Sequence, residues 1–476
     1  MDGSNCCGIC ISQTNEIELN FKIINRSGFP INLEMIKTQN SIVETSVDSV
    51  LLQNKPFSLI QNYKIPTKAK YSQPYWLIEP NNGKMFVIES PELIGKPENT
   101  AEILVSYIVK IDGELFSYDV PAKYKWNDAV KGEQFKPFVI KPEISLSIDK
   151  ATYVYANNSS QNIQVEVESN IKDAKGVLKL NLPEGWSAVP KTFPLELEDG
   201  GDKKTYTFNV TPSADAKDGE LNLIANVNGR EYRDQIFEID YPHIPMQTVM
   251  QSASAKLIRL DINIIPKLIG YIMGSGDEIP EALTQLGYNL DLLSDEDIES
   301  KNLSEYDVII CGVRAFNTRE QLGRQQKKII EFVKNGGTWI VQHNTRFGFK
   351  VDQIGPYLFT VGRDRISEEN SPMQMLLPEH QIFNYPNKIS SNDFDHWVQE
   401  RGLYFAKSWD NNFEALLAGN DKGESSKEGG LLYAEYGKGV FMFSAYSMFR
   451  QLPAGVPGAY RLFVNIISTQ GNNGKK

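Results

Sequence analysis

Along its first 140 residues the chain alternates apolar and polar positions in short runs. Examples are Glu16–Ile23 (EIELNFKI), Met85–Ile88 (MFVI) and Ile103–Ile111 (ILVSYIVKI), rich in β-branched and aromatic residues and separated by Asn, Gly and Pro clusters. Asp112-Gly113 between two such runs predicts a two-residue hairpin turn. Residues 1–140 therefore read as an antiparallel β domain. The Pro-flanked segment Lys136–Pro142 reads as a joint, and a second run of alternating segments follows it. Ile144–Ile148, Ile163–Val167, Val177–Leu182, Tyr206–Val210 and Leu221–Val227, with a hairpin turn at Asn228-Gly229, predict an Ig-like β-sandwich over 141–242. Trp186 in Leu182-Pro183-Glu184-Gly185-Trp186 should pack inside it. The stretch 242–256 carries no periodic apolar pattern and reads as a second joint.

The period then changes. Lys267–Met273 and Tyr306–Cys311 are continuous apolar strands, and Thr338–Gln342 (TWIVQ) is another. Between them, Ile279–Leu286 reads as a helix with Asp277 as N-cap, and Arg319–Lys334 as an amphipathic helix closed by Asn335-Gly336-Gly337. Strands Gly430–Tyr436 and Val440–Ala445 and a helix near Ala459–Ile467 complete the pattern. Alternating strands and helices predict an α/β doubly wound domain over 255–472. The fold class is thus multidomain: two all-β domains followed by an α/β domain.

Composition refines this picture without changing it. The charge of −11 over 476 residues opposes nucleic-acid binding and docking on anionic lipid. No apolar run reaches the length of about 20 residues that spans a membrane. The opening MDGSNCCGICISQTNE lacks the basic and apolar parts of a signal peptide. That predicts a cytoplasmic location for the chain as written, and a periplasmic or cell-envelope one if the natural N-terminus lies upstream. Cys7 and Cys10 form a C-x-x-C, with Cys6 beside them, but no second pair follows at a zinc-finger interval. His380 and His396 lack metal-ligand spacing, so neither a metal nor a cofactor is expected.

In an open parallel sheet, ligands sit beyond the carboxyl ends of the strands. The loops there are Gly274–Glu278, Gly312–Asn317 and Gln342–Arg346. The first resembles half of a dinucleotide fingerprint, but it lacks the third glycine. Asp277 and Glu278 at the helix start would also repel a pyrophosphate. Candidate ligand-binding residues are therefore Asp277, Glu278, Arg314, Asn317, His343, Asn344 and Arg346. Mixed carboxylate, amide and guanidinium groups suit a neutral, hydroxyl-rich ligand such as a carbohydrate. The segment Pro386–Tyr404 (PNKISSNDFDHWVQERGLY) suits saccharide recognition or a loop pinned by its own ion pairs.

The pattern of 255–472 resembles the class I glutamine amidotransferase family, including its trehalose-utilisation-type branch. That chemistry needs a Cys on the turn after the fourth strand, and a His oriented by a Glu. The turn here reads Val341-Gln342-His343-Asn344, and Gly439–Tyr446 has neither His nor Glu, so the resemblance implies the fold without the triad. In the trehalose-utilisation-type branch a His on this turn suggests ligand contact. Ser72–Leu77 (SQPYWL), Leu93–Glu98 (LIGKPE), Leu182–Trp186 (LPEGW), Phe208–Pro212 (FNVTP), Pro386–Ile389 (PNKI), Trp397–Tyr404 (WVQERGLY) and Arg450–Leu462 (RQLPAGVPGAYRL) carry a wider likeness. Together they look like the region that follows the catalytic domain in large PIG-L-type deacetylases of Bacteroidetes-like bacteria, with a sandwich similar to the module appended to some alpha-galactosidases. The likeness implies a deacetylase domain or subunit as partner. The H-x-D-D zinc motif of that family is absent here, so catalytic residues are not carried over. The leading expectation is a non-catalytic accessory protein that binds carbohydrate. Its rivals are a hydrolase or isomerase acting on a sugar-like substrate at the strand ends, and a structural interaction protein.

Overall fold

The computed structural model describes residues 10–13, 15–39, 43–80, 83, 85–351 and 353–471. Cys6 and Cys7 of the C-x-x-C segment lie outside them. The protein is a multidomain, β-rich molecule.

In the N-terminal region the hairpin predicted at Asp112-Gly113 forms. Both residues adopt positive φ (49° and 87°), and Leu104–Ile111 pairs antiparallel with Glu114–Pro121. This is the backbone twist that two-residue hairpins require. The sheet runs Glu44–Leu51, Ile31–Thr38, Leu104–Ile111, Glu114–Pro121, and a separate antiparallel pair, Glu16–Ile24 with Pro56–Lys64, forms a second layer. Leu33, Ile36, Val105 and Val109 pack against Phe21 and Tyr63 between them. Met85–Ile88, predicted as a strand, is not one; Met85 and Phe86 are exposed.

The segment 136–142 is not a bare joint. Val139–Lys141 is a buried strand parallel to Cys10–Ser12. Its backbone bonds and its burial tie the two ends of the first region together, which a Pro-flanked sequence does not reveal.

The middle region holds two facing sheets around a core that includes Leu146, Val165, Phe208, Leu223 and Leu257. Trp186 packs there edge-on to Tyr155 at 4.8 Å and donates its indole N–H to Lys217 O. The stretch 242–256 differs from its reading as a joint. Gln247–Ser252 pairs with Asp234–Ile239, and Ser254–Leu260 runs parallel to Thr152–Ala156 and antiparallel to Gly219–Val227. Strand pairing with the middle region thus continues to Leu260. Ser254–Leu260 buries Ala255 and Leu257 in the sandwich core and Ile258 and Leu260 on its other face, so it shows no apolar-polar alternation.

Beyond it lies a seven-stranded sheet. Its order is Asn289–Leu292, Leu268–Ile272, Val308–Cys311, Thr338–Gln342, Gly439–Ser444, Leu431–Tyr436, Glu414–Ala415. The first five strands are mutually parallel and the last two pairings are antiparallel. Strands buried on both faces read as continuous apolar runs, and every residue of Thr338–Gln342 and of Gly439–Ser444 is buried. Helices Ile279–Gln285, Leu322–Lys334 and Pro457–Ser468 accompany them. The second helix starts at Leu322 rather than Arg319, because Ala315–Thr318 forms a separate short turn of helix. The carboxyl ends of the parallel strands, at Ile272, Cys311, Gln342 and Ser444, define where a site is to be sought.

Candidate functional site

Tyr271 sits one residue before the end of its strand, fully buried. Its hydroxyl donates to Asp277 Oδ1 at 2.6 Å and accepts from Gln342 Nε2 at 3.0 Å. Burial, reinforced by the Asp277 carboxylate, raises the Tyr271 pKa far above its ordinary value, so the phenol stays protonated as a donor. Asp277 accepts two further bonds, from Ile279 N–H at Oδ1 and Val313 N–H at Oδ2, both at 3.1 Å. It is a strut joining two strand-end loops. The helix N-cap itself is Glu278, not Asp277, and the Glu278 side chain makes no capping bond and is exposed. Gly312 is required beside this strut: a Cβ there would lie 2.8 Å from Asp277 Oδ2 and 2.9 Å from the Tyr271 hydroxyl.

The amides behave similarly. Asn317 Oδ1 accepts from Thr345 N–H, and its Nδ2 donates to Thr345 O and Phe347 O. Asn344 Oδ1 accepts from Phe316 N–H, and its Nδ2 donates to Gln342 O. Both are buried and stitch the loop after Cys311 to the loop after Gln342. Arg314 is held between them in the left-handed region (φ 59°), its N–H bonded to His343 O at 2.7 Å and its side chain exposed. Arg346 is exposed too, with its guanidinium 5.5 Å from the Phe347 ring and Arg363 at 5.2 Å from that ring.

His343 differs from all of these. It is 5% exposed, and its Nδ1 is buried with no hydrogen-bond partner. Its ring lies 5.7 Å from Tyr404 and 5.4 Å from Phe449. Burial is the main cause that lowers its pKa to about 4; a backbone bond with Ala445 opposes it, and Arg450 and Arg314 add to it, so the imidazole is neutral at pH 7.

The two long motifs at Trp397–Tyr404 and Arg450–Leu462 meet beside it. Gln451 bonds Val398 on both its N–H and its carbonyl, Ser447 N–H donates to Arg401 O, and Arg450 pairs with Glu400 at 3.5 Å and bonds Gln399. Asp393 is buried and pairs with Arg461, and it accepts from Ser390 in a capping box. Trp397 is buried, so the aromatic face that this segment offers is Tyr404 and not Trp397. Three non-glycine residues of the segment, His396, Gln399 and Tyr404, have positive φ. Outside glycine such conformations cost of order 1–3 kcal/mol each and persist where the surroundings over-determine them.

The seven predicted residues thus do not converge on one crevice. Asp277 and Glu278 line a cleft of about 460 Å³ that the sandwich closes with Asp149 and Lys150. His343 is buried beneath Tyr404 and Phe449, with Arg450 and Arg314 close enough to act on its charge. Tyr404 and Arg450 belong to the two long motifs and Phe449 immediately precedes the second, but no spacing joins them to His343.

Cys311 is fully buried, accepts from the Trp339 indole N–H at 3.3 Å, and has its thiol pushed up to about 12 by burial. It has no thiolate character with which to attack. His380 caps Gln381–Asn384 through Nδ1, which accepts from Ile382 N–H. Among the described residues, no three His, Cys, Asp or Glu side chains gather as metal ligands.

No family model matches the chain. No curated protein matches it. Among solved structures, a Porphyromonas gingivalis W83 protein of unknown function is 12% identical, with 28% of this chain and 60% of that one covered and a TM-score of 0.16. A Salmonella alpha-2-macroglobulin mutant is 8% identical, with 53% and 16% covered and a TM-score of 0.19. An Escherichia coli alpha-2-macroglobulin activated by porcine elastase is 9% identical, with 52% and 32% covered and a TM-score of 0.17. The chain spans less than two thirds of each, and likenesses at these TM-scores carry no argument.

Proposed function

We propose that this chain is a non-catalytic accessory protein of a PIG-L-type deacetylase system, binding carbohydrate at the mouth around His343. On this reading the C-terminal region is an amidotransferase-like domain without its triad. The observation that carries the proposal is the buried, neutral His343 with an unpartnered Nδ1, set beside Tyr404, Phe449 and Arg450. An unpaired buried polar atom costs free energy, of order 1–3 kcal/mol, that a hydroxyl partner returns. Aromatic rings offer faces to a sugar ring, and a guanidinium that stacks on Phe449 at 5.3 Å donates to hydroxyl oxygens. The inert Cys311 and the absence of an H-x-D-D motif in the sequence favour binding over turnover.

The test is calorimetric titration of neutral and N-acetylated sugars into the full chain, with His343→Ala and Arg450→Ala beside it. At least a tenfold loss of affinity is expected in both variants. Equal binding by all three proteins, or metal-dependent acetate release from an N-acetylglucosaminyl substrate, would overturn the proposal.

A further inference from the structure

The N-terminal region has an uncovered face. In the Leu104–Ile111/Glu114–Pro121 pairing, Val105, Tyr107 and Val109 stand directly opposite Val120, Tyr118 and Phe116. Opposite residues share a face of the sheet. The first three are buried, whereas Phe116, Tyr118 and Val120 are 46%, 54% and 47% exposed on the same face. The layer above explains the difference. It has only two strands, Glu16–Ile24 and Pro56–Lys64, against four in the sheet below, and leaves the Glu114–Pro121 edge uncovered.

The space left is a groove of about 1220 Å³. It runs along consecutive residues Ile17–Lys22 of the Glu16–Ile24 strand, whose outer edge has no strand partner among the described residues. Its floor includes Val105, Tyr107 and Val120, and its far wall is the Lys123–Asp128/Gly132–Pro137 hairpin through Tyr124 and Phe135. Small-molecule pockets are about 300–1,000 Å³ and enclose their ligand. An open trough along a free strand edge, with an apolar floor, has the form that accepts an added strand.

We propose that this groove receives an extended segment of another polypeptide, which pairs with the free edge of Glu16–Ile24 and completes the upper layer. Its inward positions are apolar, to meet Val105, Tyr107 and Val120. Its outward positions are acidic, because the rim carries Lys22, Lys123 and Lys125 against Glu18 and Glu133. Lys125 is paired with Glu133, which leaves Lys22 and Lys123 against Glu18, two positive charges to one negative. This local excess of positive charge stands out in a chain whose net charge is −11. The segment matches the groove over Ile17–Lys22, close to 20 Å of strand at about 3.3 Å per residue.

The test uses the full chain and two labelled octapeptides, one alternating Glu with Val and one alternating Lys with Val. Fluorescence anisotropy should show the acidic peptide binding at least tenfold more tightly, and a Lys22→Glu/Lys123→Glu variant should reverse that order. Hydrogen exchange should slow at the amides of Ile17–Phe21 on binding. Because both substitutions are at the rim, the thermal unfolding of the variant should match that of the parent. Failure of both peptides to bind, or protection elsewhere, would overturn the proposal. So would light scattering that finds a dimer whose Ile17–Phe21 amides are already protected, since a second copy would then fill the groove.

Discussion

Thr338–Gln342 and Glu114–Pro121 are both rich in large apolar residues, yet the first buries every residue and the second exposes every one. The first lies in the middle of a seven-stranded sheet, between Val308–Cys311 and Gly439–Ser444, with core packing on both faces. The second is an edge strand whose core-side face extends past the layer above. Apolar content records what a strand is built to meet; burial records what the chain itself supplies. Where the two agree, the sheet is closed. Where they disagree, as at Phe116, Tyr118 and Val120, a binding surface is left.

The largest test of this contrast is a pair of truncations. Trp339 is fully buried, edge-on to Phe441 at 5.0 Å. Trp339→Ala should cost about 3–5 kcal/mol, through lost transfer energy and the cavity left behind. Tyr118→Ala should cost within about 0.5 kcal/mol, as exposed substitutions do. Chemical denaturation followed by circular dichroism compares the two. Equal losses would mean that Glu114–Pro121 is covered in solution.

A second effect, of roughly 3 kcal/mol, depends on pH. His343 has a pKa of about 4 in the folded protein, against about 6.5 when unfolded. The unfolded chain therefore takes up a proton that the folded chain refuses. The stabilisation is present in full above about pH 6.5 and is lost as the pH falls towards 4. Melting temperature measured from pH 7.5 to 4 should fall more steeply for the wild type than for His343→Gln, which has no such proton to bind. Parallel curves would place His343 in water rather than under Tyr404 and Phe449.

Asn317→Ala comes next. Its side chain makes three bonds to backbone groups of the loop after Gln342, and its loss leaves them unpaired, at about 1–3 kcal/mol. The prediction is lower stability, with sugar affinity recovered at temperatures where the variant is folded. Loss of binding with unchanged stability would make Asn317 a contact residue instead of a strut.

These cases also mark what the sequence reveals. Asp112-Gly113 and Asn228-Gly229 place their hairpins, because a left-handed pair of turn residues has few alternatives. Thr338–Gln342 announces a strand buried on both faces. Ser254–Leu260 is hidden because it is buried on both faces, Ala255 and Leu257 on one and Ile258 and Leu260 on the other, and does not alternate. At the strand ends, Asp277, Asn317 and Asn344 are polar residues in the right loops. A polar group that ties two loops together has the same sequence signature as one that meets a ligand. Only the geometry of their hydrogen-bond partners separates them from His343. Tyr404 and Phe449 reach His343 from segments more than 50 residues away, a distance no local spacing encodes.

Arg314→Gly, with a small expected change in stability, is the finest test of the mouth. Arg314 holds φ 59°, a conformation that costs a residue with a Cβ roughly 1–2 kcal/mol. Glycine escapes that cost but gives up more backbone entropy on folding, about 0.5–1 kcal/mol. The two nearly cancel, so the variant should be as stable as the parent or more stable by up to about 1 kcal/mol. Its backbone bond to His343 O does not depend on the side chain and survives. What disappears is an exposed guanidinium beside a neutral imidazole, held in place by a strained backbone. If the mouth binds sugar, Arg314→Gly should weaken that binding while stability holds or rises, the signature of strain kept for a ligand. Calorimetric titration and a thermal melt on the same sample measure both. Unchanged binding together with a higher melting temperature would assign Arg314 to the loop alone and leave the mouth to His343, Tyr404 and Arg450.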